Sequence, residues 1–259
     1  MRTVASPVEG TEVRVEPKQS PGIEVNGVPA TVDYVGKADV RVDLVDETRS
    51  DLVDGTRSFV VEHVLGVLGL RGVTAANVVG TREEWDFARP EHRFCYAAEM
   101  DPGNVVGHAA GLPNPALAEA LGEADLAAGD SQPRQTVTEP VTHAANGGEI
   151  ELRPREHGAG VRFDVTYGDA TIEAEVDPRA DNDEELIESV MDSKTPYLSP
   201  SEEEAVTHSI VDLVSDVAVV GGFDDLVVEA ELADAYHELT IGASCKAHEN
   251  GLVERRRES

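Results

Sequence analysis

Two kinds of apolar spacing take turns along this chain. From Gly10 the run Gly-Thr-Glu-Val-Arg-Val-Glu-Pro sets apolar against charged residues at every second position, breaks at Ser20, Pro21 and Gly22, and resumes from Ile23 to Val25. Period two is the spacing of a half-buried strand, and the break predicts a hairpin. A second alternating set from Ala30 to Val45, with Val32, Tyr34, Val40, Val42 and Leu44, predicts an extension of the same sheet. Ser58 to Leu70 is different, because Phe59, Val60, Val64, Leu65, Val67 and Leu68 leave almost no polar face; this predicts a buried helix. Val73 to Val79 returns as a strand, and Pro115 to Ala128 has helical spacing with proline in the first turn. Gly129 to Pro133 then predicts a domain boundary.

After that boundary the pattern recurs. Gly147 to Pro154, Gly-Gly-Glu-Ile-Glu-Leu-Arg-Pro, matches Gly10 to Pro17, and a second strand follows at Val161 to Val165 as it did at Ile23 to Val25. The first copy leads to Val61-Glu-His-Val-Leu-Gly-Val-Leu and the second to Val206-Thr-His-Ser-Ile-Val-Asp-Leu. Each half reads as strands followed by a buried helix with one histidine near its start. The expectation is an α+β chain with an internal duplication: two similarly folded domains, 1–130 and 134–259, each a small, mostly antiparallel sheet packed against helices. His63 and His208 should meet where the two pack, and the site should lie at that interface. An insertion at about 81–111, with Trp85, His92 and His108, interrupts the first half. In the second, Ser201 and Glu204 form a capping-box signal for the His208 helix, Tyr236 opens the last helix, and Arg255 to Arg257 should be a frayed tail.

The chemistry gathers on those helices. His208, Asp212 and Asp216 follow one another at i, i+4 steps, one helix face, among the apolar Ile210, Val211, Leu213, Val214 and Val217. A polar stripe inside an apolar helix needs partners, and a divalent cation would supply one. The plainer reading is a set of acids near the positive end of the helix dipole. Glu62 beside His63 poses the same choice, between a metal with its water and an edge of the helix that reaches solvent.

Charge narrows the partners. Lys+Arg is 21 against Asp+Glu 51, a formal net charge of -30 spread along the chain, with lysine only at 18, 37, 194 and 246. That pattern suits a salt-rich cytosol, where self-repulsion is screened and an acidic surface stays hydrated. It suits nucleic acid poorly, since phosphate binding needs clustered Lys and Arg. Cys95 and Cys245 are too few for a disulfide framework or a thiolate site. No run approaches the roughly 18 apolar residues of a membrane span, so a cytoplasmic protein with a small-molecule substrate is expected.

Val61-Glu62-His63, His208 with Asp212 and Asp216, and Tyr236-His237-Glu238-Leu239 stand in the order of three motifs of a known family. In this the chain resembles the zinc-dependent UDP-3-O-acyl-N-acetylglucosamine deacetylase of lipid A biosynthesis, whose motifs are Thr-Val-Glu-His, His-Lys-x-x-x-Asp and Gly-His-x-Leu. The resemblance covers most of the chain. It implies that His63, His208 and Asp212 hold Zn2+, with Fe2+ as another candidate. It also implies that Glu62 is the general base, that His237 is a general acid or oxyanion stabiliser, and that Asp216 orients His237. The activity implied is a metal-dependent deacetylase or amidohydrolase in which water attacks a small polar N-acylated substrate of sugar or nucleotide-sugar type. Ser209 departs from the family's lysine, and Asp181 to Thr207 is too short for the insertion that forms its acyl-chain passage. A non-catalytic binding or assembly protein, keeping the fold and a structural metal, is the alternative.

Overall fold

The computed structural model describes residues 1–10, 13–38, 42–46, 56–58, 61–80, 113–129, 132–196, 198–233 and 236–256. The expected insertion at 81–111, with Trp85, His92 and His108, lies outside the described residues. The described chain is mixed α+β: two five-stranded sheets, smaller ribbons, and the helices Glu62–Leu70, Pro115–Gly122, Glu184–Met191, Glu202–Leu213 and His237–Glu249.

The first sheet runs Val8–Glu9, Val13–Pro17, Ala75–Gly80, Gly22–Val25, Val28–Pro29 in spatial order. Val13–Pro17 and Gly22–Val25 are therefore strands, as their alternation predicts, but they are not a hairpin. Ala75–Gly80 lies between them, antiparallel to the first and parallel to the second, with Val78 opposite both Val15 and Val25. A parallel pair needs a crossover, and the Glu62–Leu70 helix lies on that connection. Period two reports which face of a strand is buried and is silent on which strand sits beside it.

The second sheet runs Val141–Ala145, Gly148–Pro154, Asp225–Leu232, Gly160–Tyr167, Ala170–Val176. Its third strand is again antiparallel to one neighbour and parallel to the other. The Glu202–Leu213 helix lies on the parallel crossover here. The core beneath is formed by Ile150, Leu152, Phe163, Val165 and Val228 with Ile210, Val211 and Leu213 above.

Three other expectations are corrected. Ala30 to Val45 does not extend the first sheet; Val35–Ala38, Val42–Asp46 and Thr56–Ser58 form a separate three-stranded sheet. The helix from Pro115 stops at Gly122, and Leu126–Ala128 is a strand paired with Arg2–Val4. The Arg71 guanidinium sits against Gly122, and beyond it the chain is drawn off to pair with the N-terminal strand. Arg255 and Arg256 are not frayed: Val253–Arg256 pairs with Arg134–Val137, and Arg256 also donates to the Arg155 carbonyl at 3.1 Å. No helix among the described residues is long and apolar enough to cross a membrane.

Candidate metal centre

The Glu62–Leu70 helix is buried along its whole length, which removes the solvent-edge reading of Glu62 and His63. It packs against the Glu202–Leu213 helix and its continuation, a π-helical stretch Val214–Val220. Two glycines set the spacing. A Cβ on Gly66 would lie 2.2 Å from the Val211 carbonyl oxygen, and one on Gly69 would lie 2.5 Å from a Val214 methyl. The backbones are thus close enough for short side chains on both helices to reach one point.

His63 and His208 reach it from opposite helices, with their Nε2 atoms 3.1 Å apart and their rings nearly perpendicular. The Asp212 carboxylate stands one helical turn past His208, its Oδ1 3.7 Å from His63 Nε2 and its Oδ2 3.6 Å from His208 Nε2. All three residues are buried. The helix is capped at Ser201, whose hydroxyl accepts from the Glu204 amide, so Asp212 and Asp216 sit at its far end and do not neutralise its positive pole. The reciprocal half of the capping box is replaced, because the Glu204 carboxylate takes the Lys194 amide.

The protonation pattern follows from the partners. His208 Nδ1 lies 3.1 Å from the Ser193 carbonyl, which can only accept, so Nδ1 carries the proton and the lone pair of a neutral ring points from Nε2 into the site. Burial pushes the His208 pKa below its ordinary value, which keeps the ring neutral. Burial also opposes ionisation of Asp212, but the nearby His208, His237 and His63 and the Tyr236 hydroxyl outweigh it and hold the carboxyl below its ordinary range.

A metal ion can be tested against this donor set. Two imidazole nitrogens on one tetrahedral zinc stand about 3.3 Å apart, given Zn–N bonds of about 2.0–2.1 Å. The 3.1 Å here fits that edge, and it equally suits an N–H···N bond in the metal-free protein. Asp212 Oδ1 is buried with no hydrogen-bond partner among the described residues. A carboxylate oxygen in that state is costly, and a cation relieves it. His63, His208 and Asp212 are the residues that could hold the ion.

Around this group lie the other predicted residues. Glu62 Oε2 accepts from the Val42 amide at 3.0 Å, and burial pushes its carboxyl up to about 8. His237 Nδ1 donates to Asp216 Oδ2 at 2.8 Å, while its Nε2 faces Asp212 Oδ2 at 4.0 Å. Burial lowers the His237 pKa, but Asp216, Asp212 and Glu62 together carry it up to about 10, so the ring is a buried imidazolium near neutral pH. Asp216 is aimed by the π-helical stretch, and Thr240 also donates to its Oδ2, at 2.5 Å. The Ser209 hydroxyl turns back to the Val206 carbonyl and offers the site nothing.

Sequence reasoning missed Tyr236, whose hydroxyl donates to Asp212 Oδ2 at 2.6 Å, as well as Thr240 and the Ser193 carbonyl. For Tyr236 the available signal was an aromatic residue next to a histidine at a helix start. For Thr240 it was the position one turn along from Tyr236. Two sizeable cavities lie away from the group. One of about 320 Å³ is lined by Ile23, Gln135, Arg179 and Val219, and one of about 510 Å³ lies between Arg71, Glu119 and Glu184. Neither touches His63, His208 or Asp212.

Set against known proteins, the chain matches no family model, and no curated protein matches it at a significant level of sequence similarity.

Proposed function

We propose that this chain is a metal-dependent hydrolase of amide-type C–N bonds, a deacetylase acting on a small polar N-acylated substrate of sugar or nucleotide-sugar type. One observation carries the reading: two imidazole Nε2 atoms and a carboxylate from facing helices converge in a buried point, with a carboxylate oxygen among them that has no hydrogen-bond partner among the described residues. A divalent ion held by His63, His208 and Asp212, zinc first and Fe2+ next, would supply Lewis acidity toward a carbonyl oxygen and would lower the pKa of a bound water.

The residues of the chain do the rest. Glu62, adjacent to a ligand, takes the proton of the attacking water as its carboxylate and can return it to the leaving amine. His237, protonated at both nitrogens and held through Nδ1 by Asp216, keeps its Nε2–H, 4.0 Å from Asp212 Oδ2, as the donor for negative charge growing on the carbonyl oxygen.

We read the frame as a duplication of halves 1–130 and 134–259. In support, both sheets place their strands in the same order with the same pattern of parallel and antiparallel neighbours. In addition, Arg2–Val4 pairs with Leu126–Ala128, and Arg134–Val137 with Val253–Arg256, so each half closes on itself. A binding or assembly protein with a structural metal is favoured only by the inward turn of Ser209.

The test is metal content per chain, by elemental analysis, beside turnover of acetylated amino sugars and nucleotide sugars. The native and Glu62→Gln proteins should hold near one metal, His208→Ala should hold none, and Glu62→Gln and His237→Ala should keep metal and lose turnover. A native protein that binds no zinc after repletion sinks the reading. Metal retained with no hydrolysis of any acylated sugar moves it to the binding protein.

A further inference from the structure

Asp212 is asymmetric. Both oxygens stand near a candidate ligand, Oδ2 3.6 Å from His208 Nε2 and Oδ1 3.7 Å from His63 Nε2, but only Oδ2 is hydrogen-bonded, accepting the Tyr236 hydroxyl at 2.6 Å, while Oδ1 has no hydrogen-bond partner among the described residues. Tyr236 is 4 % exposed, and its hydroxyl meets the Asp212 carboxylate, which can only accept, so the phenol is the donor of this bond. Its ring packs beside His237, centroids 5.3 Å apart, at the start of the last helix, so the hydroxyl has little freedom to leave.

We propose that Tyr236 is a positioning residue that holds Asp212 as a one-oxygen metal ligand, reserving Oδ2 for the phenol and presenting Oδ1 to the ion. This rests on the metal reading above and deepens it. A carboxylate free at both oxygens can swing to grip an ion through both, which suits large cations that gather six to eight oxygens at about 2.3–2.6 Å. One whose second oxygen is already engaged by a short O–H···O bond offers a single donor. With two imidazoles, that makes a compact three-ligand set with an open position, the arrangement of a catalytic zinc site. Tyr236 thereby selects a small, tetrahedrally inclined ion and keeps one coordination position from being filled by Oδ2. Such outer partners set ligand geometry as much as the ligands themselves do.

Tyr236→Phe removes one oxygen and keeps the ring packing, so it tests the hydrogen bond without emptying the core. Zinc affinity is measured by competition with a chromophoric chelator, and the visible spectrum of the Co2+-loaded protein is recorded for native and variant. The expected result is a zinc Kd roughly ten- to hundredfold weaker in the variant. The Co2+ spectrum should lose intensity as the carboxylate takes a second bond and the ion leaves four-coordination. The metal-free variant should unfold in urea as one transition, which separates positioning from loss of fold. Should Tyr236→Phe fail that check, Tyr236→Trp, which keeps a buried aromatic without this hydroxyl, is put through the same pair of measurements. Equal Kd and an unchanged Co2+ spectrum in a folded variant overturn the proposal while leaving the metal centre standing. A native protein that binds neither zinc nor Co2+ overturns the metal reading, and this inference with it.

Discussion

The sharpest prediction concerns Glu62 in the metal-free protein. Burial lifts its carboxyl from an ordinary 4.5 to about 8, so the folded chain binds this proton more tightly than the unfolded chain does. Stability from this group is therefore full below pH 4.5 and is lost as pH rises toward 8, at about 1.4 kcal/mol per pH unit. Across that window the loss sums to about 5 kcal/mol, much of the stability of an ordinary domain. His237 has the same sign: despite burial, its carboxylate neighbours raise it from 6.5 to about 10, and its contribution is lost as pH climbs through that range. Glu62→Gln separates the two. The amide keeps an oxygen for the Val42 N–H and cannot ionise, so the variant should match the native chain near pH 4.5 and grow more stable than it toward pH 8 and above. Urea midpoints, read with chelator present in fixed high salt from pH 5 to 9, give the comparison, because background repulsion is nearly the same in both chains. Zinc should shrink the gap, since a cation beside Glu62 favours its carboxylate. Parallel loss of stability in the two proteins would show that Glu62 is not buried as a carboxyl and would remove it as a poised base.

Other expectations follow from the same contacts. Gly66→Ala drives a methyl to 2.2 Å from the Val211 carbonyl oxygen and should cost about 3 kcal/mol in urea unfolding, with weaker zinc binding as the facing helices part; a native-like Kd would dissociate helix spacing from the site. Asp216→Asn takes the nearest anion from His237, whose pKa should fall below about 10 although Asp212 and Glu62 still raise it, followed by imidazole NMR in the metal-free protein; an unmoved titration would refute the pairing. Because the chain carries a net charge of -30, its unfolding midpoint should rise between 0.1 and 1 M KCl, where the screening length drops from about 10 to about 3 Å; a flat midpoint would argue that the acids are not a salt adaptation.

The candidate site was more legible than the sheets that carry it, for a physical reason. His208 and Asp212 belong to one helix, whose period fixes their common face whatever surrounds it. His63 could be placed opposite them because the same strand-and-helix phrase occurs twice in the sequence. Strand neighbours are another matter. Val13–Pro17 and Gly22–Val25 each announce a buried face, yet the strand between them arrives some fifty residues later, at Ala75–Gly80, and no local spacing records that. The end of the Pro115 helix was lost in the same way, to a strand partner at Arg2–Val4, more than a hundred residues earlier.

What the spacing could not convey was the quality of the approach. Gly66 and Gly69 stand three apart on an apolar helix, a signal that one face was cleared for a close neighbour, and the neighbours are the Val211 backbone at Gly66 and the Val214 and Val219 side chains at Gly69. The π-helical stretch that follows, with the Gly221 amide bonded to the Asp216 carbonyl, has a wider turn than an α-helix. Each residue in it rotates less about the axis, so Asp216 falls more nearly above Asp212 than an unbroken α-helix would place it. From there it reaches His237 while Asp212 keeps to the imidazoles of His63 and His208. The i, i+4 spacing read from the sequence is the same in either helix type and does not show which one follows; here Asp212 lies against His63 and His208 while Asp216 accepts from His237.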